Sequence, residues 1–230
     1  MTRTACPLPV IPGLSAGTTP RMALLALVAA ICAAGMTAGD RAQAYLLGQG
    51  GWIFYMAVIV SFAIVLSFFC FKSLLYEVPH KYVTLVIFGI AIGIQCMYAT
   101  LYYTASSVLM VAGLTASAIL VLSVYALKTS RDFTGYAPAL AAAVWLLIAF
   151  GLLQIWFHDR ILELLVASAG ALLFSLYIIY DFSLILGGAH RKHQFSLDDD
   201  VLASMCLFLD IINLFLYLLE ILRMLQGGDN

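Results

Sequence analysis

Charge is what this chain has least of. Only 11 basic and 12 acidic side chains occur in 230 residues, so 10% of the chain is charged against 64% that is hydrophobic. A soluble domain carries about 25% charged residues. Together with a mean hydropathy of +1.04, this excludes an ordinary soluble fold and predicts a polytopic membrane protein. A formal net charge of −1 leaves no basic face for nucleic acid. The five cysteines, Cys6, Cys32, Cys70, Cys96 and Cys206, are scattered without a CxxC or CxxxC spacing. They imply neither a disulfide framework nor a zinc site and read as small core residues. No Asn-x-Ser/Thr sequon occurs. Proline is sparse as well, and four of the six (Pro7, Pro9, Pro12, Pro20) stand among Gly, Ser and Thr in residues 1–21. That stretch is expected to be a disordered tail.

Long apolar runs fill the rest. Seven of them, at about 22–38, 52–75, 82–104, 108–127, 136–157, 161–186 and 201–225, approach the roughly 20 residues a helix needs to cross a bilayer. Residues 22–230 are therefore expected to form one all-α transmembrane domain, with no room for a soluble one. A secretory signal peptide is the rival reading of the first run, because Arg21 precedes it and small residues follow. Trp52, Tyr55, Tyr76, Tyr82, Tyr136 and Trp156 fall near the ends of runs, where aromatic belts sit. With the N-terminus in the cytosol, the inner segments hold Arg3, Arg21, Lys72, Lys81, Lys128, Arg131, Arg191 and Lys192, against Arg41, Arg160 and Arg223 outside. That bias favours the cytosolic N-terminus. Gly89, Gly93, Gly113, Gly170 and their Ala and Ser neighbours suit close helix packing in lipid.

The sharpest signal is two aspartates inside apolar runs, Asp181 and Asp210, joined through His190-Arg191-Lys192-His193. An ionisable side chain in a membrane span is costly unless paired or wet, and so marks function. Asp181 lies about 9 Å before the Gly187-Gly188 end of its run, and Asp210 about 15 Å beyond Asp200, by helical rise. The short connection makes the two helices antiparallel neighbours, and Ser196 opens the second with a capping-box pattern. The carboxylates can then meet at one depth, share a proton and titrate as a unit. Separate bonds to Tyr177, Tyr180 or Ser183 are the alternative. An aspartyl protease would carry Gly-x-Gly-Asp at the second aspartate. Leu207-Phe208-Leu209-Asp210 has no glycine, so no catalytic residue is assigned and no enzyme is expected.

At these same positions the chain resembles the Bax inhibitor-1 family, also called transmembrane Bax-inhibitor-motif or Lifeguard proteins. The matching motifs are Gly170-Ala-Leu-Leu-Phe-Ser-Leu-Tyr177, Tyr180-Asp181, Leu186-Gly187-Gly188, the His190-Arg191 turn and Leu209-Asp210-Ile-Ile-Asn213-Leu-Phe-Leu-Tyr217. Asp132-Phe133-Thr134 matches a family Tyr-Asp-Phe-Thr signature, with Arg131 in the tyrosine's place. The resemblance implies a seven-helix bundle with the last helix central. It also implies a pH-dependent calcium leak gated by Asp181 and Asp210, which would be the tentative Ca²⁺ ligands. A family arginine latches the closed state; Lys72 is the nearest basic residue by position, a point charge in place of a planar fork. Glu77 is a candidate for the cytosolic pore mouth, and Asp198, Asp199 and Asp200 for a cation contact there, with a solvated helix start as the blander reading. His190 and His193 are candidates for pH sensitivity near neutrality, with a solvated turn as the blander reading. No cofactor is implied beyond Ca²⁺ as permeant or bound ion. Implied partners are membrane lipid and apoptosis-regulating membrane proteins, and the implied location is the endoplasmic reticulum or Golgi, or else the plasma membrane.

Overall fold

The computed structural model describes residues 12–70, 80–129, 133–154, 156–157, 159–186 and 200–227, and all regular structure among them is helical. In chain order the helices are α1 (Pro12–Thr37), α2 (Asp40–Leu47), α3 (Gly51–Cys70), α4 (His80–Thr100), α5 (Ala105–Lys128), a 3₁₀ turn (Thr134–Tyr136), α6 (Ala137–Gln154), α7 (Arg160–Leu186) and α8 (Asp200–Gln226). In hydrocarbon each backbone N–H and C=O must be satisfied within its own segment, which leaves a helix as the solution for an isolated apolar run.

Among the described residues five helices are long and apolar enough to cross a bilayer, and six if α1 and α2 count as one span broken by a 109° bend. Helix α3 carries an apolar stretch over Gly51–Ser67 among the described residues. Helix α1 extends over residues 12–21, N-terminal to the expected run. The short helix α2 was not anticipated. It lies between Gly39 and Gly48, and the Gln43 side-chain amide anchors it by donating from Nε2 to the Met36 carbonyl, one of the otherwise orphaned acceptors at the end of α1, at 3.0 Å.

Local chemistry sets the helix starts. The Thr104 hydroxyl accepts from the Ser107 N–H and caps α5, and Asp159 Oδ1 accepts from the Ile161 N–H at the start of α7. Pro138 stands in the first turn of α6, where a missing N–H breaks no helical bond.

Packing follows a regular alternation of direction. Gln95 of α4 donates to Ser61 Oγ of α3 at 3.0 Å, and Tyr98 to the Gly50 carbonyl just before α3 at 2.7 Å. Rising numbers in one helix thus meet falling numbers in the other, so α3 and α4 are antiparallel. Between α1 and α4 the pairs are Gly89 with Leu24, Gly93 with Ile31 and Gly35 with Met97, so these two run parallel. The helices approach closely at those glycines: a Cβ there would fall 2.3–2.6 Å from the facing side chain, which would have to shift. Gly113, by contrast, has nothing within 4 Å, and its expected packing role is not seen.

Helix α8 packs against α1, α4, α5 and α7. One core joins Leu24 and Val28 of α1, Leu85, Phe88, Ile92 and Cys96 of α4, and Val201, Met205, Phe208 and Ile212 of α8. Another joins Ala171 and Ile178 of α7 to Leu207 and Leu214 of α8, with α5 alongside. At the periphery α6 packs on α7. It exposes Trp145 (73%), Leu146 and Phe150, as a lipid-facing helix does in place of a soluble helix's polar face. Trp52, Tyr55, Tyr82, Tyr136 and Trp156 are all exposed near helix ends, as the aromatic-belt expectation requires; Tyr76 lies outside the described residues.

Candidate functional site

Helices α7 and α8 form the most extensive helix pair of the structure. Their antiparallel register is fixed at three levels. Near one end Glu163 of α7 meets Arg223 of α8. In the middle Gly170 lies under the Tyr217 ring. Nearer the other end Asp181 meets Asp210, the two carboxyls hydrogen-bonded to each other. The depth argument from helical rise therefore corresponds to an actual contact.

Both aspartates are deeply buried, Asp181 at 4% exposure and Asp210 at 7%; Ser183, two residues after Asp181 in α7, and Ser204, six residues before Asp210 in α8, are fully enclosed. Among the described residues no hydrogen-bond partner reaches Asp210 Oδ2. Tyr177, Tyr180 and Cys206 lie within electrostatic reach of the pair. One turn beyond Asp210, the Asn213 side-chain amide donates to the Leu209 carbonyl at 2.8 Å. The surrounding wall is apolar: Ile178 and Leu207, one turn before each aspartate, are buried between the helices. Phe174 stacks on Tyr217 at 5.7 Å, and Tyr177 and Tyr180 meet edge to face at 6.3 Å. Two carboxyl groups in contact inside such a wall repel when both are ionised, and the low dielectric magnifies the repulsion. The arrangement can hold one proton between two oxygens, or a hard cation against two carboxylates.

Of the other residues singled out in the sequence, Lys72, Glu77, Asp198, Asp199, His190 and His193 lie outside the described residues. Asp200 is the first residue of α8. Among the described residues no group of three His, Cys, Asp or Glu side chains is arranged to hold a metal ion.

A second polar cluster was not foreseen. Arg223 bridges Glu163 and Glu220, and the Tyr103 hydroxyl donates to Glu220 Oε2 at 3.3 Å. Tyr103 sits between α4 and α5, and burial followed by the Glu220 charge pushes its phenol up to about 12. A cavity of about 290 Å³ lies alongside, lined by Gln154, Glu163, Tyr217 and Glu220 among others. The signal was present in the sequence as charged residues close to the ends of apolar runs, outside the interior positions that picked out the aspartates.

Comparison with known proteins shows the family. A family model described as "Inhibitor of apoptosis-promoting Bax1" matches residues 19–227. The chain is 34% identical to protein lifeguard 4 of Mus musculus over 169 residues, 73% of this chain and 68% of that protein. It is 28% identical to Bax inhibitor 1 of Schizosaccharomyces pombe over 225 residues, 91% of this chain and 79% of that protein. To the Golgi anti-apoptotic protein of Vaccinia virus (strain Lister) it is 40% identical over 122 residues, 53% of this chain and 49% of that protein, so the match spans about half the viral relative.

Proposed function

The chain belongs to the Bax inhibitor-1 (Lifeguard) family, and from that premise we propose that it is a pH-sensitive calcium leak gated by the Asp181–Asp210 pair. The single observation that carries the reading is the buried carboxyl pair, hydrogen-bonded across α7 and α8. With one proton shared, the pair carries a charge of about −1, and one cationic group suffices to neutralise it. Lys72 is the proposed latch in that state. With both carboxyls ionised, self-repulsion separates α7 from α8 locally, and the pair attracts Ca²⁺, which prefers oxygen ligands. Flux should therefore rise as pH rises through the titration of the pair.

The proposal extends to architecture. Seven helices, α1 and α3 through α8, alternate in direction, the other six enclosing α8 as the central element, with the N-terminus cytosolic, and residues 22–230 are its one transmembrane domain. The pair then lies toward the cytosolic side, with Glu77 and Asp198–Asp200 at the mouth. The membrane is an endomembrane, endoplasmic reticulum or Golgi; the viral relative's name favours the latter. The role is in calcium homeostasis and suppression of cell death, with no catalysis and no cofactor.

The test is Ca²⁺ flux into proteoliposomes carrying the purified protein, from about pH 6 to 8, beside Asp181→Asn and Asp210→Asn. A flux that rises with pH in the parent, and loses that dependence in both variants, is the expected result. No flux above empty liposomes at any pH, from protein that is inserted and folded, refutes the leak.

A second reading is favoured by the names of two relatives, Bax inhibitor 1 and Golgi anti-apoptotic protein: a non-transporting scaffold that regulates apoptosis through partner membrane proteins. Protection from cell death that persists in the flux-dead aspartate variants would support it.

A further inference from the structure

Two of the cysteines that are far apart in sequence are brought together by the parallel packing of α1 on α4. Cys32 and Cys96 are in side-chain hydrogen-bonding contact, and the Thr100 hydroxyl reaches Cys32 from the next turn of α4. The neighbours hold the two backbones close. Gly93 faces Ile31 one residue before Cys32, and Gly35 faces Met97 one residue after Cys96. A disulfide needs Cα atoms within about 4.4–6.8 Å, and glycine-mediated packing of this kind is what lets two helices come so near.

The two thiols differ in access. Cys96 is buried and Cys32 is partly exposed. Both line an almost wholly apolar cavity of about 630 Å³, formed where α1 and α5 stand apart with Ile211, Ile212 and Phe215 of α8 at the back. A membrane-permeant reagent can therefore approach Cys32 sideways. Along the helices, Cys32 lies five residues before the end of α1 and Cys96 four before the end of α4, so both sit about 6–8 Å from that membrane face by helical rise. The face is opposite to the one nearer Asp181 and Asp210. In the proposed orientation it fronts the oxidising, non-cytosolic compartment, where disulfides persist.

We propose that Cys32 and Cys96 are a reversible dithiol that closes into an intramolecular disulfide, clasping α1 to α4. Cys32 is the attacking thiol, as the more accessible of the two, and Cys96 resolves the mixed species. Two S–H bonds break and one S–S bond forms. Two electrons and two protons pass to the oxidant, a protein or small-molecule disulfide that is thereby reduced to two thiols. Only the choice of compartment draws on the proposed orientation; the chemistry stands apart from the calcium leak. Cys206, partly buried on α8, has no cysteine beside it among the described residues and does not take part.

The test uses the full chain in lipid nanodiscs, treated with diamide, whose N=N bond accepts the same two electrons and two protons. Remaining thiols are alkylated, and the protein is digested without reductant for mass spectrometry. The expected result is a peptide pair joined through Cys32 and Cys96, with two of the five thiols lost to alkylation and recovered after a phosphine reductant. Cys32→Ser should abolish the link and Cys206→Ser should leave it. Full alkylation of Cys32 and Cys96 after an exposure that closes a model dithiol peptide overturns the proposal. So does a link that joins either of them to a different cysteine in place of its partner. Neither reading requires a substituted protein to fold.

Discussion

A methyl group added at Gly170 would test the α7–α8 interface directly. The Cβ of Gly170→Ala would fall 2.7 Å from three atoms of the Tyr217 ring at once, so the ring lies flat over the glycine. Phe174, one turn further along α7, already stacks on the same ring. The ring cannot slide along α7 and has to lift away, giving up a stacking contact of about 0.5–1.5 kcal/mol. Overpacking of this kind costs about 1–3 kcal/mol in total. The better helix propensity of alanine offsets roughly 1 kcal/mol of that, which leaves a net loss of about 0–2 kcal/mol. For a chain of this size each kcal/mol moves the unfolding midpoint by about 2–4 °C, so the expected drop is up to about 8 °C. Gly113→Ala on α5 is the matched control, because no atom lies within 4 Å of its Cβ, and it should be neutral or slightly stabilising. Thermal unfolding of the two variants, purified in the same detergent, reads the difference. Gly170→Ala at or above the Gly113→Ala midpoint would refute the packing argument.

Tyr103 should ionise at about 12, held there by burial and then by the Glu220 charge. Both favour the neutral phenol, so Glu220→Gln should move the titration downward. The phenolate absorbance difference between the parent and Tyr103→Phe, repeated in the Glu220→Gln background, measures it. Arg223 joins α8 to Glu163 of α7, yet its side chain is 52% exposed. Solvent screening limits such a pair to about 0–1 kcal/mol, so Arg223→Ala should lower the unfolding midpoint only slightly, and the difference should shrink further in high salt.

The aspartate contact was legible because it needs little tertiary information. A short connection dictates an antiparallel pair, and helical rise then places Asp181 against Asp210. The Cys32–Cys96 contact was illegible for the converse reason. It arises between parallel helices with α2 and α3 between them in the chain, and cysteine spacing rules look for neighbours in sequence. Glu163 and Arg223 form an intermediate case, since the same antiparallel reasoning would have joined them had the ends of the apolar runs been treated like their interiors. Helix α2 escaped because eight residues of mixed polarity carry no spanning signal. Its evidence is punctuation, Gly39 before it and Gly48 after it. Small-residue counting succeeded at Gly89, Gly93 and Gly170 and failed at Gly113, because composition does not say which side of a helix meets a partner.

The alternation of helix directions also bears on how the chain is assembled during synthesis. Helix α1 finds its partners late, in α4 and, later still, in α8. What it offers them is Leu24, Val28 and their apolar surroundings, which lipid tails solvate as well as protein does while the partners are awaited. Asp181 has no such option, because a carboxyl waiting in hydrocarbon is costly. Its partner stands on the next helix to emerge. Gln95 is likewise matched by Ser61 on the helix made just before it, and Glu163 by Arg223 on the one just after. In these pairs, groups that lipid cannot satisfy are matched between helices inserted consecutively, while the long-delayed contacts of α1 are built largely from side chains that can wait.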